Sequence, residues 1–203
     1  MPPPQGPASA KQLLVEGNDY LNFFEALATH LEVDDIQVQN FGGVDDLRAF
    51  LRAFVSQSEF RQRVRRLGIV RDAERHADRA FQSVQGSLRA AGLPVPDVPC
   101  ETAGSEPATS VLILPGQNEP GMLETLLCET FAATADADCV DGFFECASNL
   151  AGVSIARPDK ARAQAWLAMR PNPHLSVGVA AKAGYWNLEH HALEPVRDFL
   201  RSL

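Results

Sequence analysis

Two short apolar runs in this chain each end in acids. LLVEGNDY delivers Glu16, and LGIVRDAE delivers Asp72 and Glu74. Carboxylates are hard oxygen donors. A cation such as Mg²⁺ is held by one or two of them, with waters and substrate phosphates completing its shell. Such an ion polarises a phosphoryl oxygen, acidifies a bound water and stabilises a leaving oxygen. Three carboxylates brought together repel one another unless a cation or hydrogen bonds compensate. Acids at strand ends are also common as solvated turn residues, so the question is whether the chain's elements converge them.

The elements are readable from periodicity. Residues 11–16, KQLLVE, form a strand, and Gly17-Asn18-Asp19 forms a turn in which Asn18 or Asp19 suits an N-cap. Leu21, Phe24, Leu27, Ala28 and Leu31 then recur at helical spacing. IQVQNF at 36–41 alternates as a strand and is broken by Gly42-Gly43. The next helix carries Val44, Leu47, Phe50, Leu51 and Phe54 on one face, with Asp45 and Asp46 in its first turn. Residues 67–71 are a third strand. A helix from about Ala77 to Ala91 is closed by Gly92, a loop spans 94–109, and VLILP at 111–115 is a fourth, wholly apolar strand.

This alternation predicts an α/β fold with a mostly parallel sheet flanked by helices on both faces. Ligands of such sheets sit outside the carboxyl ends of the strands. Glu16, Asp72 and Glu74 fall on that same edge. After the fourth strand the pattern is helical, over 121–134, 141–151, 159–169 and 186–202, the last interrupted near Pro195. The expected organisation is a disordered tail at 1–10, an α/β core at 11–118, and a mainly helical extension of the same domain at 119–203.

The arrangement resembles the TOPRIM domain shared by topoisomerases, bacterial primases and overcoming-lysogenization-defect (OLD) nucleases. The resemblance rests on Glu16-Gly17 after the first strand, Asp72-Ala73-Glu74 after the third, and the glycine break Asn40-Phe41-Gly42-Gly43. The whole chain, over roughly residues 11–203, is similar to an uncharacterised TOPRIM-related family, through LVEGNDY, Gly-x-Leu-Glu at 121–124, DKARAQAWLA and GVAAKAGYW. The fold it implies is TOPRIM-like, a Rossmann-like sheet nearest to the OLD-type TOPRIM. The site it implies holds Mg²⁺ or Mn²⁺ for phosphoryl transfer, with Asp72 as principal ligand and Glu16 as ligand or general base. Glu74 stands where the common pattern has Asp, one methylene shorter. Asp19 is an outer-shell candidate. Glu124 and Lys160 match by position the further acid and lysine of OLD-type nucleases.

Other residues read as structure. Trp166 and Trp186 suit a core. His190-His191 point different ways on a helix, and His76 suits the helix surface just after the acids. Gly42-Gly43 lacks the GxxxxGK[ST] context of a phosphate cradle. Arg61, Arg63, Arg65, Arg66, Arg71 and Arg75 flank the third strand, either as solvated helix ends or as a basic rim to an acidic site. Cys100, Cys128, Cys139 and Cys146 form no metal-binding spacing and read as reduced, mostly buried thiols. No apolar run reaches the roughly 18–20 residues of a membrane helix, and no leader is visible, so a cytoplasmic protein without a membrane partner is expected.

The formal net charge of -8 argues against tight autonomous nucleic-acid binding, since phosphate neutralisation dominates that affinity. It argues less against an enzyme whose bound cations offset the acids. Two tyrosines, Tyr20 and Tyr185, and no DNA-gate module make topoisomerase chemistry improbable. Without a zinc-binding or template-binding module, primase activity is improbable too. The functions left are a metal-dependent nuclease or phosphohydrolase acting on nucleic acid or nucleotide, or a non-catalytic binding or regulatory protein with a degenerate TOPRIM core and a protein partner. An enzyme of a small phosphorylated metabolite stays open on fold alone, as does a homodimer.

Overall fold

The computed structural model describes every residue except Gln117, Ala151 and Val153. The expected alternation of strands and helices is present: β1 (Lys11–Val15), α1 (Gly17–His30), β2 (Ile36–Asn40), α2 (Leu47–Val55), the short α3 (Phe60–Arg63), β3 (Arg66–Asp72), α4 (Ala77–Ala90), β4 (Thr102–Ala103) and β5 (Ala108–Leu114). The sheet order is β2-β1-β3-β5-β4; β4 alone runs antiparallel. The two-residue β4 lies within the stretch expected as loop, because it is too short to carry a strand period.

The alternation of side chains along the central strands separates two apolar layers. Leu13, Val15, Val70, Leu112 and Leu114 face α1 and the helical second half. Leu14, Leu67, Ile69, Val111 and Ile113 face α2, α3 and α4. The second half contributes α5 (Leu123–Glu129), α6 (Ala135–Ser148), α7 (Pro158–Leu167), α8 (Val177–Lys182), a 3₁₀ turn (His191–Leu193) and α9 (Glu194–Ser202). All of α5 to α9 lie on the α1 side.

Several boundaries differ from the sequence reading. Pro195 sits in the first turn of α9, where its missing N–H is no loss, so it starts the helix and does not interrupt it. Val44 precedes α2 and is exposed. α8 was not anticipated; six residues are too few to show an amphipathic period. Of the cysteines only Cys128 is buried, and the other three are exposed free thiols. The segment expected as an unstructured tail lies against β2 and α2. There Gln5 N donates to Gln39 Oε1 at 2.8 Å, Ala8 N donates to Gln37 Oε1 at 2.7 Å, and Gln57 Nε2 donates to Pro4 O at 3.1 Å.

The α1–α8 contact needs Gly178. A Cβ there would stand 2.1 Å from the carbonyl oxygen of Asp19, a main-chain atom that cannot swing aside. G178A is therefore expected to destabilise the fold by about 3 kcal/mol through overpacking, measured as a fall in the urea midpoint at constant slope. A change below 0.5 kcal/mol would mean that α8 does not seat on α1.

Candidate functional site

Gly17 adopts φ +79°, a conformation open to glycine, and α1 starts there, directly after Glu16. Neither Asn18 nor Asp19 caps the helix. Asn40, at the end of β2, holds this corner instead. Its Oδ1 accepts from Gly17 N at 2.9 Å and from Gly42 N at 2.7 Å, while its Nδ2 donates to Asn18 Oδ1 at 2.9 Å. Glu16 is thus fixed at the carboxyl end of β1 by a residue from the neighbouring strand.

At the end of β3 the main chain is locked to the segment after β5. Ala73 N donates to Leu114 O at 2.8 Å, and Glu74 and Gly121 exchange both main-chain hydrogen bonds, at 2.9 and 2.8 Å. Glu74 takes a left-handed φ of 53°, and its side chain is exposed. This bridge delivers the start of α5 to the strand edge, so that Leu123 N donates to Asp72 Oδ1 at 3.2 Å and to Tyr20 Oη at 3.0 Å. Tyr20 Oη in turn donates to Asp72 Oδ1. Asp72 and Tyr20 are both buried.

Glu124 follows Leu123 and is 6% exposed. Its Oε1 lies 3.5 Å from Lys160 Nζ. Lys160 is placed by links between α5 and α7, chiefly Thr125 Oγ1 donating to Asp159 Oδ2 at 2.5 Å. Of the expected set, Glu16, Asp72, Glu74, Glu124 and Lys160 come to one region, where each acid's field reaches Asp72 or Glu16. Asp19 does not join them. Its carboxylate accepts from Gly178 N at 3.3 Å, on the α8 side. The His190 and His191 rings lie 4.2 Å apart, tilted by 37°, and His76 is exposed ahead of α4.

The electrostatics follow from burial. Asp72 is pushed up to about 7, first by desolvation and then by Glu124, Glu16 and Glu74, against the lowering effect of the Tyr20 hydrogen bond. Burial also raises Glu16, opposed mainly by Arg71 and less by Lys160, while Glu74 adds to the rise. Tyr20 is held well above its ordinary value by burial beside the Asp72 carboxylate.

Six buried side-chain polar atoms lack a hydrogen-bond partner among the described residues, and four lie here: Glu16 Oε2, Glu124 Oε2, Arg71 Nε and Arg71 Nη1. Buried polar atoms are normally paired, so four unpaired ones near the ends of β1 and β3 set this region apart from the rest of the described core. Oxygen donors of this kind suit Mg²⁺ or Mn²⁺. As the side chains stand, the described residues contain no group of three acids, histidines or cysteines close enough to hold an ion. Asp72 is turned onto Tyr20 and Leu123, and Glu124 onto Lys160.

Tyr20 and Asn40 are not picked out as site residues by the sequence, and Arg71 enters it only within the candidate basic rim. Tyr20 carried a usable signal: it lies in the first turn of the helix that follows Glu16, so its ring returns toward the strand ends. Asn40 carried none, because its role depends on strand order, and Arg71 was visible only as one of the six arginines of that rim.

A comparison with solved structures finds the C-terminal region of the Xanthomonas campestris pv. campestris OLD protein. The match has 18% identity and a TM-score of 0.38, over 96% of this chain and 95% of that one. No curated protein matches the chain. A family model matches residues 10–203, and the chain belongs to that family, described as "Protein of unknown function (DUF3226)".

Proposed function

We propose that the chain is a Mg²⁺- or Mn²⁺-dependent phosphoryl-transfer protein with a TOPRIM-like core, acting as a nuclease or phosphohydrolase on nucleic acid or a nucleotide. The observation that carries this reading is the gathering of Glu16, Asp72, Glu74 and Glu124 at the carboxyl edge of β1 and β3, with two carboxylate oxygens buried and unpartnered. Asp72, Glu16 and Glu124 would hold the ion, and Glu74 would reach it from the exposed side. The ion would supply charge stabilisation at the phosphoryl oxygens and an acidified water. Glu16, with its carboxyl raised by burial, is suited to hold a proton during the reaction. Lys160, half-exposed beside Glu124, keeps a positive charge at the site that can face a phosphate oxygen.

The test is calorimetric titration with Mg²⁺ and Mn²⁺, followed by hydrolysis assays on single- and double-stranded substrates. Wild type should bind metal and D72N should not, and E16Q should lower hydrolysis about 10²–10⁴-fold while keeping the fold. Retained hydrolysis in both variants would sink the reading.

One observation favours the second reading, a non-catalytic binding or regulatory protein on a degenerate core. The acids already have protein partners: Asp72 has Tyr20 and Leu123, and Glu124 has Lys160. That reading expects no metal binding by wild type at millimolar concentration and no metal-dependent cleavage. Membrane insertion by a helix plays no part in either reading, because no helix among the described residues is long and apolar enough to cross a membrane.

A further inference from the structure

Arg71 is the one strongly basic residue on the central strands that is removed from solvent, at 9% exposed. It lies one residue before Asp72 on β3, and the two side chains leave opposite faces of the strand. Arg71 shares its face with Leu67 and Ile69, on the α2–α4 side. Leu14 and Ile69 are the last pair of the parallel β1–β3 register, and Glu16 and Arg71 each lie two residues beyond it. Their charges interact, since Arg71 is the foremost influence lowering the Glu16 carboxyl.

A guanidinium serving only as counter-charge would direct its N–H groups at the carboxylate. Here Arg71 Nε and Nη1 have no acceptor among the described residues, and Glu16 Oε2 has no donor. Leaving donors of a buried cation unmade is costly, and the cost is removed when a ligand supplies oxygens. The planar guanidinium matches phosphate oxygens in geometry as well as charge. Lys160, the other cation of the site, stands half-exposed at 3.5 Å from Glu124 Oε1, whereas Arg71 is buried. Just after Glu74 in the chain, an open hollow of about 370 Å³ is lined by Arg75, His76, Asp78, Arg79, Gln82 and Asn118, two arginines against one acid.

We propose that Arg71 binds the phosphate group of the ligand at this edge, so that the site takes a phosphate monoester or diester through a guanidinium contact in addition to any contact through a cation. The proposal rests on the phosphoryl-transfer reading of the same acids, and its test separates the two. Wild type, R71Q and R71K are titrated calorimetrically with AMP and, separately, with inorganic phosphate, each in EDTA and in saturating Mg²⁺. Mg²⁺ alone is titrated into all three.

R71Q should weaken anion binding about 10–100-fold, the effect of losing hydrogen bonds from a charged donor. R71K should fall between, because it keeps the charge and loses the planar array. Mg²⁺ affinity should be unchanged or raised in R71Q, because a repelling cation has gone. Binding of AMP but not inorganic phosphate would assign a nucleotide; equal binding would assign the phosphate alone. If the anion affinities of wild type and R71Q agree, or wild type binds neither anion with or without Mg²⁺, the proposal is overturned, whatever the metal titration shows. If wild type binds an anion through Arg71 but binds no Mg²⁺, the proposal stands and the metal reading fails. Should R71Q fail to fold, R71K decides: unaltered affinity for both anions overturns the guanidinium contact.

Discussion

D72N will make the metal-free chain more stable at pH 8 and nearly equal to wild type near pH 4. The Asp72 carboxyl titrates at about 7 in the folded protein, against 3.8 for the unperturbed group, with burial as the main cause. Below 3.8 both states carry the proton and Asp72 contributes no pH dependence. Between 3.8 and 7 the unfolded state has lost the proton and the folded state keeps it, so folding requires proton uptake and stability falls as pH rises. Above 7 the loss is complete, on the order of 4 kcal/mol at full effect. Asparagine cannot ionise, yet its carbonyl can still accept from Tyr20 and Leu123. Denaturant unfolding in EDTA at pH 5 and pH 8 should show the variant's advantage growing from roughly 1–2 to about 4 kcal/mol. The latter is equivalent to roughly 8–16 °C in Tm for a chain of this size. Adding Mg²⁺ or Mn²⁺ at pH 8 should stabilise wild type, because a ligand of the native state adds RT ln(1 + [L]/Kd), and should leave D72N unmoved. A stability difference that is the same at both pH values would show that ionisation of Asp72 is not what burial opposes here.

Why this carboxylate, and not its neighbours, is so strongly perturbed explains which parts of the site were legible in the sequence. Apolar runs ending in acids placed Glu16 and Asp72 at strand ends, and βαβ alternation put those ends on one edge of a parallel sheet; both hold in the structure. Local patterning cannot say what will cover that edge. Burial of Asp72 depends on Leu123 and on Tyr20, brought together by the Glu74–Gly121 bridge. That bridge is a contact between main-chain groups 47 residues apart, with no side-chain signature. The same bridge brings Glu124 under cover, and a residue two positions from a helix start reads as solvent-facing when only the helix dipole is considered. Asp19 is a different case: near Glu16 in sequence, its carboxylate accepts from Gly178 N of α8, a contact between residues 159 positions apart that local patterning does not carry. The left-handed bend that exposes Glu74 was equally invisible, since glutamate has no preference for φ near +53°.

The second half of the chain matters to the site because it holds Glu124 and Lys160, and an aromatic stack ties its own helices together. Trp166 and Trp186 lie 4.5 Å apart at 20°, and Phe131 lies 5.1 Å from Trp166 at 14°. Trp186 Nε1 donates to Val177 O at 2.8 Å, so the same ring joins α7, the end of α5 and α8. These rings belong to the apolar layer that contains Leu13, Val15 and Val70 of the sheet. If extension and sheet are one cooperative unit, W186A should lower global stability by about 3–5 kcal/mol, the range for removing a buried aromatic ring. Far-UV circular dichroism and the remaining Trp166 fluorescence should then report one shared unfolding transition. W186F keeps most of the apolar volume but loses the bond to Val177 and part of the stack, and should cost less. Loss of the anchor should also release α7, so the W186A protein should bind Mg²⁺ or phosphate more weakly even under conditions where it remains folded. Two separated transitions, with the Trp166 signal melting first, would show instead that the helical half is an independent unit. Lys160 and Glu124 would then reach the strand edge through a docking equilibrium, not as part of a rigid core.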